Sequence, residues 1–266
     1  MFKRLYTYRF LLAEIVKKNI KLQYRNSVLG VFWTFLQPLM TTFVLVLVFS
    51  NIFGRDNKAV LNYPVYLLCG RLLYEFYSQS TKRAMRSIRL SASVIKKVYI
   101  PKYIYPVSNV LSTFITFLIS LSVLVVFIVY FQLFSDKPVH VTGYAALAIV
   151  PILILFLLCL GVGLILSVLE VFFKDVEYLY DVFCMLLFYL TPIFYHVDQL
   201  KAAPVVKMAL MANPLYSIVS MFRSCVLFGV MWNWHWFWYS LGFSLLMLLI
   251  GGVAFYKKQD DFILHI

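Results

Sequence analysis

Six predominantly apolar stretches of about 20 residues or more, at approximately 28–54, 61–80, 104–134, 143–172, 178–197 and 233–256, constrain this chain more than any other feature. A hydrocarbon core about 30 Å thick is crossed by roughly 20 helical residues, and inside it every backbone polar group must be bonded within its own segment. The runs therefore predict an all-α polytopic membrane protein with six transmembrane helices. Composition agrees, since 63% hydrophobic against 13% charged residues rules out water as the main solvent. A further apolar stretch, 203–230, is broken by Asn213-Pro214 and carries Arg223. It reads as re-entrant half-helices before the last span.

The net charge of +13 would suit a nucleic-acid partner, but its placement points to topology. Seventeen of the 24 Lys and Arg residues fall on one side: Lys3, Arg4, Arg9, Lys17, Lys18, Lys21 and Arg25 before the first span, Lys82, Arg83, Arg86, Arg89, Lys96, Lys97 and Lys102 between the second and third, then Lys174, Lys257 and Lys258. The opposite side has Arg55, Lys58, Lys137, Lys201, Lys207 and Arg223, with Arg71 inside the second span. Cytoplasmic loops carry such an excess, so both termini are expected inside a cell (inner) membrane. The first apolar run is long and has no small-residue cleavage site, so the N-terminus is expected to be retained.

Residues 3–25 pattern as a basic amphipathic interface helix, with Leu5, Tyr8, Leu12, Ile15 and Val16 on one face and Lys3, Glu14, Lys17, Lys18, Lys21 and Arg25 on the other. Two uses stay open: an anchor on anionic lipid, or a surface for a cytoplasmic partner. The segment 81–103 has no acidic residue and suits a short helix docking into a soluble subunit, or a topogenic signal alone. Pro101 and Pro106 are expected to end that helix before the third span. Arg71 and Glu75, four apart, are expected to pair, while Glu170 and Asp181 lie near the cytoplasmic surface, within reach of water.

On the fifth span Tyr178, Met185, Phe188 and Tyr189 recur at helical spacing, and Trp33 and Gln37 share a face of the first span. A polar-aromatic lining suits sugar rings; ordinary helix packing explains the same pattern. Cys69, Cys159, Cys184 and Cys225 sit inside apolar runs without metal-like spacing and read as small buried hydrophobes. Gly161, Gly163, Gly251 and Gly252 read as close-packing positions. The sequence has no phosphate-binding G-x-x-x-x-G-K-[ST] motif, catalytic triad pattern or metal-ligand cluster, so the chain is not read as an enzyme.

Several motifs, in order, carry a resemblance: QYRNSVLGVFWTFLQPL at Gln23 to Leu39, NYPVYLLCG at Asn62 to Gly70, VIKKVYIPKYIYPVSNV at Val94 to Val110, FKDV at Phe173 to Val176, TPIFY at Thr191 to Tyr195 and NPL at Asn213 to Leu215. Together they resemble the membrane permease subunits of the ABC type 2 exporters, which move O-antigen, capsular or teichoic-acid glycans on lipid carriers. Lys174 stands where the family usually has Arg, Gln37 where Asn or Glu is usual, and Arg71 where an apolar residue is expected.

The resemblance implies one transmembrane domain over 1–266 acting as a homodimer, with two copies of an ABC ATPase subunit that bind ATP and Mg. It implies a lipid-linked glycan as substrate, membrane lipids around the body, no nucleic acid and no cofactor in this chain. It assigns ATPase contact to 3–25 and 82–100, hence to Lys17, Lys18, Lys21, Arg89, Lys96 and Lys97. It assigns the glycan path to aromatic residues of the first and fifth spans, with Trp33, Phe188 and Tyr189 as the matches, while Gln37, Tyr178 and Met185 join the expected substrate channel by their spacing; it assigns an extracytoplasmic gate to 203–230, here with Asn213, Pro214 and Arg223. Efflux of a drug or small lipid by the same architecture is the alternative, and a membrane glycosyltransferase or acyltransferase a more distant one.

Overall fold

The computed structural model describes residues 7–25, 27–49, 62–98, 100–134, 142–195, 208 and 210–262. Among these the chain is helical, without strands, as expected of backbone placed in hydrocarbon. The helices are α1 (Arg9–Gln23), α2 (Trp33–Phe49), α3 (Tyr63–Leu90), α4 (Ala92–Ile95), α5 (Ile104–Phe134), α6 (Ile149–Phe172), α7 (Val176–Leu190), α8 (Pro214–Val226) and α9 (Trp234–Lys258). Short 3₁₀ turns, Gly30–Phe32 and Gly143–Ala148, lead into α2 and α6.

Sequence punctuation sets several helix starts. Pro64 and Pro214 occupy first-turn positions of α3 and α8, where a missing N–H removes no helical bond. Pro106 likewise lies in the first turn of α5, so it opens that helix instead of closing the one before it. Pro38 is interior to α2 and cannot donate to the Thr34 carbonyl one turn back. Ser120 of α5 donates to that carbonyl at 3.1 Å, satisfying the freed acceptor from a neighbouring helix.

α6 is the central helix. Its most apolar window is 61% buried, against 17–22% for α2, α5 and α9. It packs chiefly on α9 and α3, and α3 also packs on α5. Three of the four glycines named above make these approaches. A Cβ on Gly161 would lie 2.5 Å from the Leu248 nitrogen and the Met247 carbonyl carbon, and one on Gly251 2.5 Å from the Gly161 oxygen, so α6 and α9 touch backbone to backbone. A Cβ on Gly163 would meet Ala84 of α3 at 2.8 Å, whereas one on Gly252 would meet no atom within 4 Å. All four cysteines are buried free thiols.

Among the described residues, four helices combine the length and hydropathy of a crossing: Gly30–Val48, Ile104–Phe134, Gly143–Phe172 and Trp234–Lys258. The stretches 61–80 and 178–197 fall short for separate reasons. The first carries Arg71, Glu75 and many hydroxyls. The second contains a helix of 15 residues, about 22 Å long, before the Thr191–Tyr195 motif begins.

Three further readings are adjusted. α3 runs unbroken for 28 residues, so 82–90 continues the helix of the second apolar run and only Ala92–Ile95 forms a separate short helix. α8 starts at the Asn213-Pro214 break, residues 208, 210 and 211 before it are helical, and 203–207 and 209 lie outside the described residues. Arg223, counted with the outer loops, is 4% exposed and belongs to the core. Glu170, placed within reach of water, has a fully buried side chain. Lys3, Arg4, Leu5, Arg55, Lys58, Lys137, Lys201 and Lys207 lie outside the described residues.

Candidate functional site

The basic end of α3 comes first, because its residue spacing decides where its charges go. Lys82, Arg86 and Arg89, at i, i+4 and i+7, share one helix face. That face meets α7 and the end of α6. Lys82 Nζ is 2.7 Å from Asp181 Oδ1, and Arg86 Nε 2.9 Å from Glu177 Oε1 with Nη2 3.8 Å from Asp181 Oδ2. Arg89 Nε is 2.9 Å from Glu170 Oε1, and its Nη2 donates to Glu177 Oε2 at 2.5 Å. On another side Arg83 Nη1 donates to Gln23 Oε1 at 2.8 Å, tying α1 to α3. Arg89, assigned to an ATPase contact, is thus engaged within the chain.

Beyond Leu90 the chain turns over a short tip. Ile95 is buried against a cluster that includes Tyr103, Ile104, Phe255 and Phe262, while Ser93, Val94, Lys96, Lys97 and Val98 are exposed. Lys102 closes the tip by donating to the Gln259 carbonyl at the end of α9, and burial lowers its ammonium pKa below the ordinary lysine value. A cleft of about 810 Å³ separates this tip from the start of α1 and the end of α9, with Thr7, Tyr8, Val98, Ile100 and Tyr256 among its walls. Lys17, Lys18 and Lys21 are exposed on α1, with Lys17 bonded to Glu14 at 2.9 Å. Two elements with exposed lysines therefore sit at one end of the bundle.

The aromatic candidates divide. Tyr178, Met185 and Tyr189 lie along one stripe of α7 and are 74%, 62% and 60% exposed. Phe188 turns the other way, its ring 5.0 Å from Tyr74 and 5.2 Å from Phe194. Trp33 is exposed at the start of α2. Gln37 instead borders a polar cleft of about 50 Å³ between α2, α3 and α5, with Gln23, Tyr24, Thr34, Glu75 and Gln79. Glu75 of that cleft has its Oε2 3.5 Å from Arg71 Nη2, the pairing their spacing indicates.

At the other end of the bundle three of the motifs meet. Arg223 of α8 donates from Nε and Nη2 to the Tyr66 carbonyl at 3.2 and 3.0 Å, from Nη1 to Pro192 at 2.6 Å and from Nη2 to Ile193 at 3.1 Å. Its guanidinium carbon lies 3.5 Å from the Tyr66 ring centroid. Gly70 leaves the space for it, since a Cβ there would overlap Nη2. Tyr63 and Tyr66 hydroxyls donate to the Phe194 and Tyr195 carbonyls at 3.1 and 2.9 Å. Asn213 accepts from Leu215 N at 3.0 Å, capping α8, and donates to the Thr191 hydroxyl at 3.1 Å. NYPVYLLCG, TPIFY and NPL are thus parts of one polar knot in an apolar body.

Sequence reasoning missed Tyr63, Tyr66, Gly70 and Thr191 as members of that knot, and Lys82, Arg86, Glu177 and Asp181 as partners. The signal was present as i, i+4, i+7 charge spacing on α3 and as polar residues inside apolar motifs.

Known proteins resemble the chain over most of its length. The sequence profile of the ABC-2 type transporter family matches residues 11–227. The O-antigen export system permease protein RfbA of Klebsiella pneumoniae is 28% identical over 248 residues, covering 93% of this chain and 91% of the relative. RfbA of Myxococcus xanthus is 28% identical over 222 residues, covering 84% and 82%. The polysialic acid transport protein KpsM of Escherichia coli is 21% identical over 247 residues, covering 92% and 91%.

Proposed function

The chain belongs to the ABC-2 type transporter family, and from that premise we propose that it is the membrane permease subunit of an ATP-driven polysaccharide exporter. The observation that carries the reading is that relatives named for O-antigen export and polysialic acid transport align with nearly all of the chain and nearly all of themselves. The substrate is a lipid-linked glycan, moved from the cytoplasm across the inner membrane. Two copies of the chain work with two copies of an ATPase subunit, which binds ATP and Mg.

In this reading α2, α3, α5, α6, α7 and α9 each cross the membrane, both termini are cytoplasmic, and α8 belongs to a re-entrant region. The Asn213-Pro214 break before α8, and the even number of crossings that two cytoplasmic termini require, favour the re-entrant assignment. The exposed tip meets the ATPase. Replacing Lys96 and Lys97 by Glu is expected to weaken ATPase co-purification about tenfold while membrane abundance stays unchanged, because these side chains are exposed. Undiminished co-purification of that variant sinks the docking assignment.

The uncovered stripe of α7 and the start of α2 border the glycan path. Tyrosine and tryptophan faces stack on the C–H faces of sugars, and the tyrosine hydroxyls serve sugar hydroxyls. The test is export of glycan by cells carrying Trp33→Ala with Tyr189→Ala. Both residues are exposed in the protomer, so folding should tolerate the change while export falls about tenfold. Export at the wild-type rate, with wild-type levels of protein, rejects the aromatic lining.

A further inference from the structure

We propose that Lys82, Arg86 and Arg89 with Asp181, Glu177 and Glu170 form a transmission ladder that makes α7 move with the cytoplasmic end of α3. The proposal rests on the reading above, in which the tip after α3 meets the ATPase and α7 borders the glycan path.

The way α7 is attached carries the inference. Of its 15 residues only Tyr180, Cys184 and Leu187 are buried, and Tyr178, Leu179, Val182, Phe183, Met185, Leu186 and Tyr189 all face outward. Apolar packing therefore fixes this helix weakly compared with α6. Polar bonds to α3 follow one another along the pair instead. The Tyr74 hydroxyl donates to the Cys184 carbonyl, Tyr180 donates to the Thr81 hydroxyl at 2.8 Å, Lys82 pairs with Asp181, Arg86 with Asp181 and Glu177, and Arg89 with Glu177. As the α3 number rises the α7 number falls, so the helices run antiparallel with a fixed register. Arg89 also reaches Glu170, which adds the end of α6 to the last rung.

Stability alone does not account for this arrangement. Ion pairs as exposed as Lys82–Asp181 and Arg86–Asp181, at 29–43% side-chain exposure, add little to folding stability. What a run of such pairs supplies is register and direction, because sliding α3 by one turn would break every rung at once. The lever arm has no place to bend: between Arg71 and Leu90 the sequence has neither Gly nor Pro, and α3 is continuous there. A displacement passed to the end of α3 therefore reaches residues 82–89 along an unbroken helix, and the charges deliver it to α7.

The experiment uses the full chain with its ATPase subunit in membranes. The neutral double variant Glu177→Gln with Asp181→Asn keeps side-chain size and removes two rungs. It is expected to retain abundance, co-purification and ATP hydrolysis within about twofold, while glycan exported per ATP hydrolysed falls about tenfold. The charge-reversed pair Arg86→Glu with Glu177→Arg should export better than either single reversal. Unchanged export per ATP in the neutral variant, or a reversed pair no better than its singles, overturns the ladder.

A cargo-independent measurement separates this proposal from the exporter reading. Spin labels on Ser93→Cys and Leu186→Cys, both exposed against buried native thiols, should keep the same separation with and without trapped ATP in the otherwise unchanged protein. In the neutral variant that separation should shift on trapping. A shift in the unchanged protein overturns the ladder even if glycan is exported. Absence of export with an unchanged separation rejects the exporter reading and leaves the ladder standing.

Discussion

Replacing Arg223 by alanine is expected to lower the melting temperature of the purified protein by about 10 °C or more and to deplete it from the membrane. The side chain is 4% exposed and supplies four hydrogen bonds to the carbonyls of Tyr66, Pro192 and Ile193. Truncation leaves those acceptors buried without this donor, at about 1–3 kcal/mol each, and opens a cavity beneath the Tyr66 ring. The sum is a large part of an ordinary folding free energy. Arg223→Lys should be intermediate, because an ammonium concentrates its donors at one point while the guanidinium spreads them in a plane.

Gly70→Ala should destabilise by the same route, since its Cβ would displace Nη2. Combined with Arg223→Ala it should add less than its separate effect, the mark of two residues sharing one interaction. Unchanged melting of Arg223→Ala would refute the knot as a stabilising element.

Gly161→Val is expected to have an effect of similar size through a different mechanism. A Cβ at 2.5 Å from the Leu248 nitrogen and the Met247 carbonyl carbon meets backbone, which has no rotamer to change, so α6 and α9 must part. Overpacking of a close-packed interior costs about 1–3 kcal/mol when side chains yield, and more when they cannot. Gly252→Val is the matched control, because a Cβ there meets no atom within 4 Å and surface changes usually stay within about 0.5 kcal/mol. Melting curves of the two variants that coincide would reject the backbone contact.

The glycines also show how far sequence reading extends. All four look alike in an apolar run, yet Gly161, Gly163 and Gly251 lie at helix crossings and Gly252 does not. The difference lies in the direction in which each residue points, which spacing along one helix leaves open until a neighbour is placed. Arg71 and Glu75 were legible as a pair because four residues fix their separation within a single helix. Arg223 was not legible: an arginine in a broken apolar stretch looks like a loop charge. Its carbonyl partners lie 30, 31 and 157 residues away in sequence.

The basic segment after the second span is the clearest division. Its charge excess in the sequence gives only an expectation for the side of the membrane, whereas the structure sorts the charges by face. Lys82, Arg86 and Arg89 turn to α7 and α6, Arg83 to α1, Lys102 to α9, and Lys96 and Lys97 remain at the exposed tip.

What the sequence determined by itself was the membrane body, its all-helical character, where α5, α6 and α9 run, and the break at Asn213-Pro214. Each follows from a local requirement: in hydrocarbon the backbone must bond within its own segment, and proline lacks the donor. Tertiary structure alone decided that the helix of the second apolar run continues to Leu90, that Glu170 is buried beneath Arg89, and that the NYPVYLLCG and TPIFY motifs close around Arg223. Those outcomes depend on which helices lie side by side and in what register, and burial and charge pairing across helices act only once that packing exists.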